Sequence, residues 1–65
     1  MKYYRFTITF TDTNGQWEDE KETIEVMHQS REWAEWSAWD EAEEMLKNFG
    51  EGWEVANVER ALDWF

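Results

Sequence analysis

Residues 3–11 alternate without a break, with Tyr4, Phe6, Ile8 and Phe10 in one parity and Tyr3, Arg5, Thr7, Thr9 and Thr11 in the other. Successive side chains of a strand point to opposite faces, so this stretch predicts a strand with one apolar face and one largely polar face. The apolar face has to be covered. In a chain of 65 residues with no cysteine, neither a disulfide nor a thiolate-bound metal can stand in for a core. A chain this short buries only about 60% of the surface it exposes when unfolded. The remaining segments must therefore close over Tyr4, Phe6, Ile8 and Phe10.

After this strand, Asp12-Thr13-Asn14-Gly15 fits a type I turn with Asp first and Gly last, leading through Gln16 and Trp17 into a second strand that ends near Met27. Parity constrains the pairing. A two-residue Asn14-Gly15 loop would set Phe6 opposite Thr23 and turn Ile24 and Val26 away from the apolar face. A three-residue loop, Thr13-Asn14-Gly15 with a glycine bulge, sets Tyr4 opposite Ile24 and places Phe6, Ile8 and Phe10 opposite Glu22, Glu20 and Glu18. The second register is the expected one.

The segment EWAEWSAWDEAEEM, beginning at Glu32, reads as helix. Ser30 suits the N-cap, Glu32 and Glu35 lie near the positive helix end, Lys47 lies near the negative end, and Gly50 is placed to terminate. These signals predict a helix over 31–49. Ala34, Ala38, Ala42, Met45, Leu46, Phe49 and Trp39 form a broad stripe suited to covering a sheet, with Trp36 on its border and Trp33 nearly opposite. Residues 53–60 are rich enough in β-formers for a third strand. Val58, Ala61, Leu62 and Phe65 also keep a helical spacing, so 56–65 reads either as strand plus tail or as a short helix.

A right-handed crossover would place the third strand beside the first. The expected architecture is a single small acidic domain over 1–65, of α+β class: ββαβ, a three-stranded antiparallel sheet in the order 2-1-3 with one helix on one face. Its other face, bearing Tyr3, Thr7, Trp53 and Val55, is left open unless residues 61–65 fold over it or a second copy pairs with it as a homodimer.

Motifs for chemistry are sparse. His28 is the only histidine, and Ser30 and Ser37 have no placed base, so no nucleophile or acid–base pair is assembled and the chain reads as a non-enzyme without cofactor. Asp12-x-Asn14-x-Gln16 followed by Glu18 begins like a calcium-binding EF-hand loop, but Trp17 occupies the glycine position and Thr23 stands where a bidentate Glu is needed. No metal site is expected. Sixteen acids against six bases give a net charge of −10, which repels nucleic acid and anionic membranes alike. The N-terminal MKYYRFTITF has no signal-peptide pattern and no run approaches the roughly 20 apolar residues of a span, so a soluble, cytoplasmic protein is expected.

What remains is acid beside aromatic. Trp33 and Trp36 project from the outer helix face among Asp40, Glu43 and Glu44, where only Lys47 offsets the charge, through its spacing of four from Glu43. Glu18, Asp19 and Glu20 add acid from the hairpin. These eight residues are the candidate partner-binding set, aimed at a basic protein. The plainer alternative is a solvated face on a small structural or assembly domain that self-associates through its open sheet face, acidity serving solubility only. In profile (length, acidity, a hairpin and helix without catalytic residues) the chain resembles small phage-encoded inhibitors of the anti-CRISPR and anti-restriction type. That resemblance carries no residue motif. It implies a viral DNA mimic that acts in the host cytoplasm and occupies the basic channel of a nucleic-acid-handling enzyme.

Overall fold

β1 (Lys2–Asp12), β2 (Glu20–His28), α1 (Arg31–Leu46) and β3 (Trp53–Arg60) follow one another in a computed structural model, which describes residues 2–61. β1 runs between two antiparallel partners, so the order is β2-β1-β3, and α1 packs on one face of the sheet. This is the α+β, ββαβ arrangement that the periodicity predicts. No helix among the described residues is long and apolar enough to cross a membrane.

The apolar row of β1 is the interior. Phe6, Ile8 and Phe10 are at most 1% exposed, and the helix meets them with Ala34, Ala38 and Ala42, each fully buried. Residues four apart share one side of a helix, and alanine carries nothing beyond Cβ, so this stripe lets the α1 backbone settle closely on β1. Ile24, Val26 and Val58 close the Tyr4–Phe6 end, while Met45, Leu46, Phe49, Trp53 and Val55 close the Phe10 end. Ser30 caps α1 as expected, its Oγ accepting from the Trp33 N–H at 3.3 Å. The α-helix stops at Leu46 and not at 49. The N–H groups of Lys47, Asn48 and Phe49 donate three residues back, to Glu44, Met45 and Leu46, which tightens the last turn before Gly50 redirects the chain at φ +83°.

Two features of the sheet differ from the expectation. The β1–β2 pairing keeps the predicted parity but slides by two residues, with Tyr4 opposite Val26, Phe6 opposite Ile24, Ile8 opposite Glu22 and Phe10 opposite Glu20. The cause lies in the connection. The Asp12 carboxylate accepts from the N–H groups of Asn14, Gln16 and Trp17 at 3.0, 2.9 and 3.1 Å, so the chain is held in a closed loop after β1 and pairing with β2 begins only at Glu20. The Asp12–Gly15 turn survives within it, as Gly15 N–H donates to Asp12 O at 3.0 Å and Gly15 has φ +72°. Trp17 consequently belongs to the loop and not to the strand.

The second difference is a bulge in β3. Thr9 pairs with Asn57 but Phe10 pairs with Val55, so Ala56 is an extra residue and parity switches across it. Val58 therefore faces the helix together with Val55 and Trp53, which were expected on the open face. Among the described residues that open face carries Thr7, Thr9, Thr11, Thr23, Lys21, Glu54, Asn57 and Glu59, with an Arg5–Glu25 ion pair of 2.8 Å and only Tyr3 and Met27 as large apolar groups. Self-association through it loses the two anchors assigned to it, Trp53 and Val55. Ala61 extends the ladder by donating to Arg5 O at 2.8 Å. Residues 56–60 belong to β3, so the short-helix alternative for 56–65 gives way to the strand, and the tail expected over this face falls on residues 62–65, outside the described residues.

Truncation and overfilling of this interior test its packing from both sides. Phe6→Ala should cost about 3–5 kcal/mol, a large part of the roughly 3–10 kcal/mol that a domain of this length has to lose. Ala38→Leu should cost about 1–3 kcal/mol by lifting α1 from the sheet, although leucine is nearly as good a helix former. Urea unfolding followed by far-ultraviolet circular dichroism reads both. An unchanged midpoint for Ala38→Leu would show that the alanine stripe is not in close contact with β1.

Candidate functional site

The first turns of α1 set its outer face. With Ala34, Ala38 and Ala42 against the sheet, positions advancing by about 100° per residue carry Trp36, Trp39, Asp40 and Glu43 onto one exposed flank. They line an open cleft of about 450 Å³ together with Glu35. Trp36 is 71% exposed and Trp39 44%. Trp39 was expected in the core. It is excluded because the alanines hold the helix so near β1 that a large ring about 100° round from Ala38 overhangs the packed region and cannot reach beneath it. Among the described residues, Glu35, Asp40 and Glu43 have no ion-pair partner, so two indoles stand beside three uncompensated carboxylates.

Of the eight residues proposed from the sequence, this cleft unites Trp36, Asp40 and Glu43. Trp33 is apart from it. Its ring stacks on His28, with centroids 6.1 Å apart and planes 12° from parallel, so it covers the end of β2 while remaining 63% exposed. His28 in turn accepts from the Gln29 N–H through Nδ1 at 3.0 Å. Glu44 is separate too: it, and not Glu43, pairs with Lys47, Nζ to Oε1 at 3.3 Å. With both side chains largely in water this pair contributes little. Glu35 and Trp39 were missed, although Glu35–Trp39, Trp36–Asp40 and Trp39–Glu43 are all spaced by four, the signal of a shared helix flank.

Glu18 and Glu20 belong to a second open cleft, of about 630 Å³, between the 13–19 loop and the C-terminal end of α1. Asp19 lines neither cleft. Trp17, Phe49 and Trp53 supply its aromatic surface, and Gln16 and Asn48 add amides. Phe49 stands 4.5 Å from Phe10 and 5.0 Å from Trp53 between ring centroids, which ties this surface to the core. The loop is braced as well. Thr13 donates twice to Gly52 O, from N–H at 2.7 Å and Oγ1 at 2.8 Å. Gly52 has φ +90°, where a side chain is strained, and a Cβ there would stand 3.1 Å from Asn14 Nδ2, so glycine is favoured where the two loops meet.

Asp12 is the buried acid of this end and is structural, both of its oxygens being taken by backbone donors. Its pKa lies below the ordinary 3.8, chiefly through the Asn14 N–H, with burial opposing and the Gln16 and Trp17 N–H groups assisting. Among the described residues no three His, Cys, Asp or Glu side chains stand together as a metal-binding group. No family model, no curated protein and no solved structure matches the chain.

A carboxylate whose pKa is depressed by folding stabilises the fold above its unfolded value and loses that contribution as pH falls through the folded value. Wild type should therefore exceed Asp12→Asn in stability at neutral pH, and the gap should close as pH falls below 3.8. Urea midpoints of both proteins along a descending pH series measure it. A gap that stays constant to the acid limit would contradict the role given to the Asp12 charge.

Proposed function

We propose that the protein is a non-enzymatic acidic binding module that seats the outer flank of α1 on a basic, nucleic-acid-handling partner and blocks it by standing in for nucleic acid. The observation that carries this reading is the Trp36–Trp39 cleft with Glu35, Asp40 and Glu43 at its rim. A protein surface built to hold phosphates presents Lys and Arg, and carboxylates on a helix can meet those cations. Two exposed indoles beside the carboxylates add apolar contact area, which sequence-independent charge alone does not supply. The overall charge of −10 steers such an encounter. The resemblance in profile to phage inhibitors of the anti-CRISPR and anti-restriction type points the same way, with the host cytoplasm as the place of action.

The reading is tested by immobilising the protein, passing a bacterial lysate over it at low salt, and eluting with duplex DNA. Retained proteins should be nucleic-acid-binding, should leave with DNA, and should fail to bind at high salt. Retention that neither DNA nor salt disturbs would overturn it. With a partner so identified, Trp36→Ala should chiefly speed dissociation, whereas Asp40→Lys with Glu43→Lys should chiefly slow association. Surface plasmon resonance separates the two rates, and unchanged kinetics in both variants with the fold intact would leave α1 a merely solvated face.

A further inference from the structure

We infer that the cleft between the 13–19 loop and the end of α1 is a second recognition site, one that takes the guanidinium of an arginine side chain. The inference rests on the proposed function only in taking the partner to be basic, and it concerns a different surface. Three observations converge on this ligand. Trp17 is 70% exposed, yet its backbone N–H is held by Asp12 Oδ2 at 3.1 Å. A large indole is thus presented to water from a fixed loop, and Phe49 and Trp53, whose ring centroids are 5.0 Å apart, line the same cleft. Planar cations stack on such rings, and arginine does so more readily than the strongly hydrated lysine ammonium.

The second observation is charge. Glu18 and Glu20 line the cleft, and neither has an ion-pair partner among the described residues. Gln16 and Asn48 line the cleft beside them, and several acceptors in one cleft match the five donors of a guanidinium better than the three of an ammonium. Third, the walls are assembled in advance. The paired hydrogen bonds from Thr13 to Gly52 O tie the loop carrying Trp17 to the loop leading into Trp53. Little ordering is left for the ligand to impose.

The probe is a blocked Gly-Arg-Gly tripeptide, with Gly-Lys-Gly and the uncharged Gly-citrulline-Gly as comparisons, titrated into the ¹⁵N-labelled protein while the indole N–H signals are followed. The arginine peptide should shift Trp17 and Trp53 and bind more tightly than the lysine peptide, and citrulline should leave both signals in place. Trp17→Ala, and separately Glu18→Gln with Glu20→Gln, should each weaken the arginine peptide about three- to fivefold, whereas Trp36→Ala should leave that affinity unchanged. All four substitutions are at exposed positions, and an undisturbed amide spectrum confirms that the fold persists. Shifts confined to Trp36 and Trp39, equal shifts with citrulline, or no saturable shift would overturn the inference. The helix flank is tested separately by lysate capture and DNA elution, so failure at this corner and failure of the proposed function are distinguishable.

Discussion

The close contact between the alanine stripe of α1 and the apolar row of β1 decides where the rest of the chain can go. Phe6, Ile8 and Phe10 fill the space beneath the helix, and Ala34, Ala38 and Ala42 leave none over. The five described tryptophans cannot all share so thin an interior. Trp53 is drawn in at the Phe10 end by the β3 bulge, while Trp17, Trp33, Trp36 and Trp39 remain outside. Their exposure is a packing consequence first, and any use in recognition is built upon it. A Leu stripe in place of the alanines would lift the helix and open room for flanking rings such as Trp39.

Much of this was legible because it depends on local pattern. The parity of residues 3–11, the Ser30 cap and the four-residue spacing of the alanines each specify one element or one face, and the structure keeps all three. The rest depended on side chains competing with backbone pairing. Asp12 was read as the first residue of a tight turn, but its carboxylate gathers three N–H groups and lengthens the loop, which slides β2 by two residues. The bulge at Ala56 did leave a trace. Trp53 and Val55 share a parity that Val58 breaks, and a strand with apolar groups of both parities needs either two covered faces or an inserted residue. With one helix available, insertion is the economical solution.

The candidate site divides along the same line. Trp36, Asp40 and Glu43 were found from helical spacing, and Glu35 and Trp39 were missed because Trp39 had been given to the core. Glu18 and Glu20 were picked for charge alone. Their shared cleft with Trp17, Phe49 and Trp53 exists only because the longer loop swings Trp17 across the end of α1, a tertiary result that no window of sequence contains. Acidity is spread over the molecule, but among the described residues exposed indoles meet uncompensated carboxylates at two places, and those places differ in character. One is a helix flank suited to lying along a basic surface, and the other a braced corner suited to a single planar cation.

All of this follows from tryptophans held outward by a filled interior, so the most direct measurement is the solvent accessibility of each indole. Paramagnetic relaxation of the indole N–H protons by a neutral gadolinium chelate reports it ring by ring. Trp17, Trp33, Trp36 and Trp39 should relax strongly and Trp53 distinctly less. Protection of Trp36 and Trp39 to the level of Trp53 would contradict the account, because it would mean that the helix leaves room beneath it for large rings and that the aromatic surface is not there to be used.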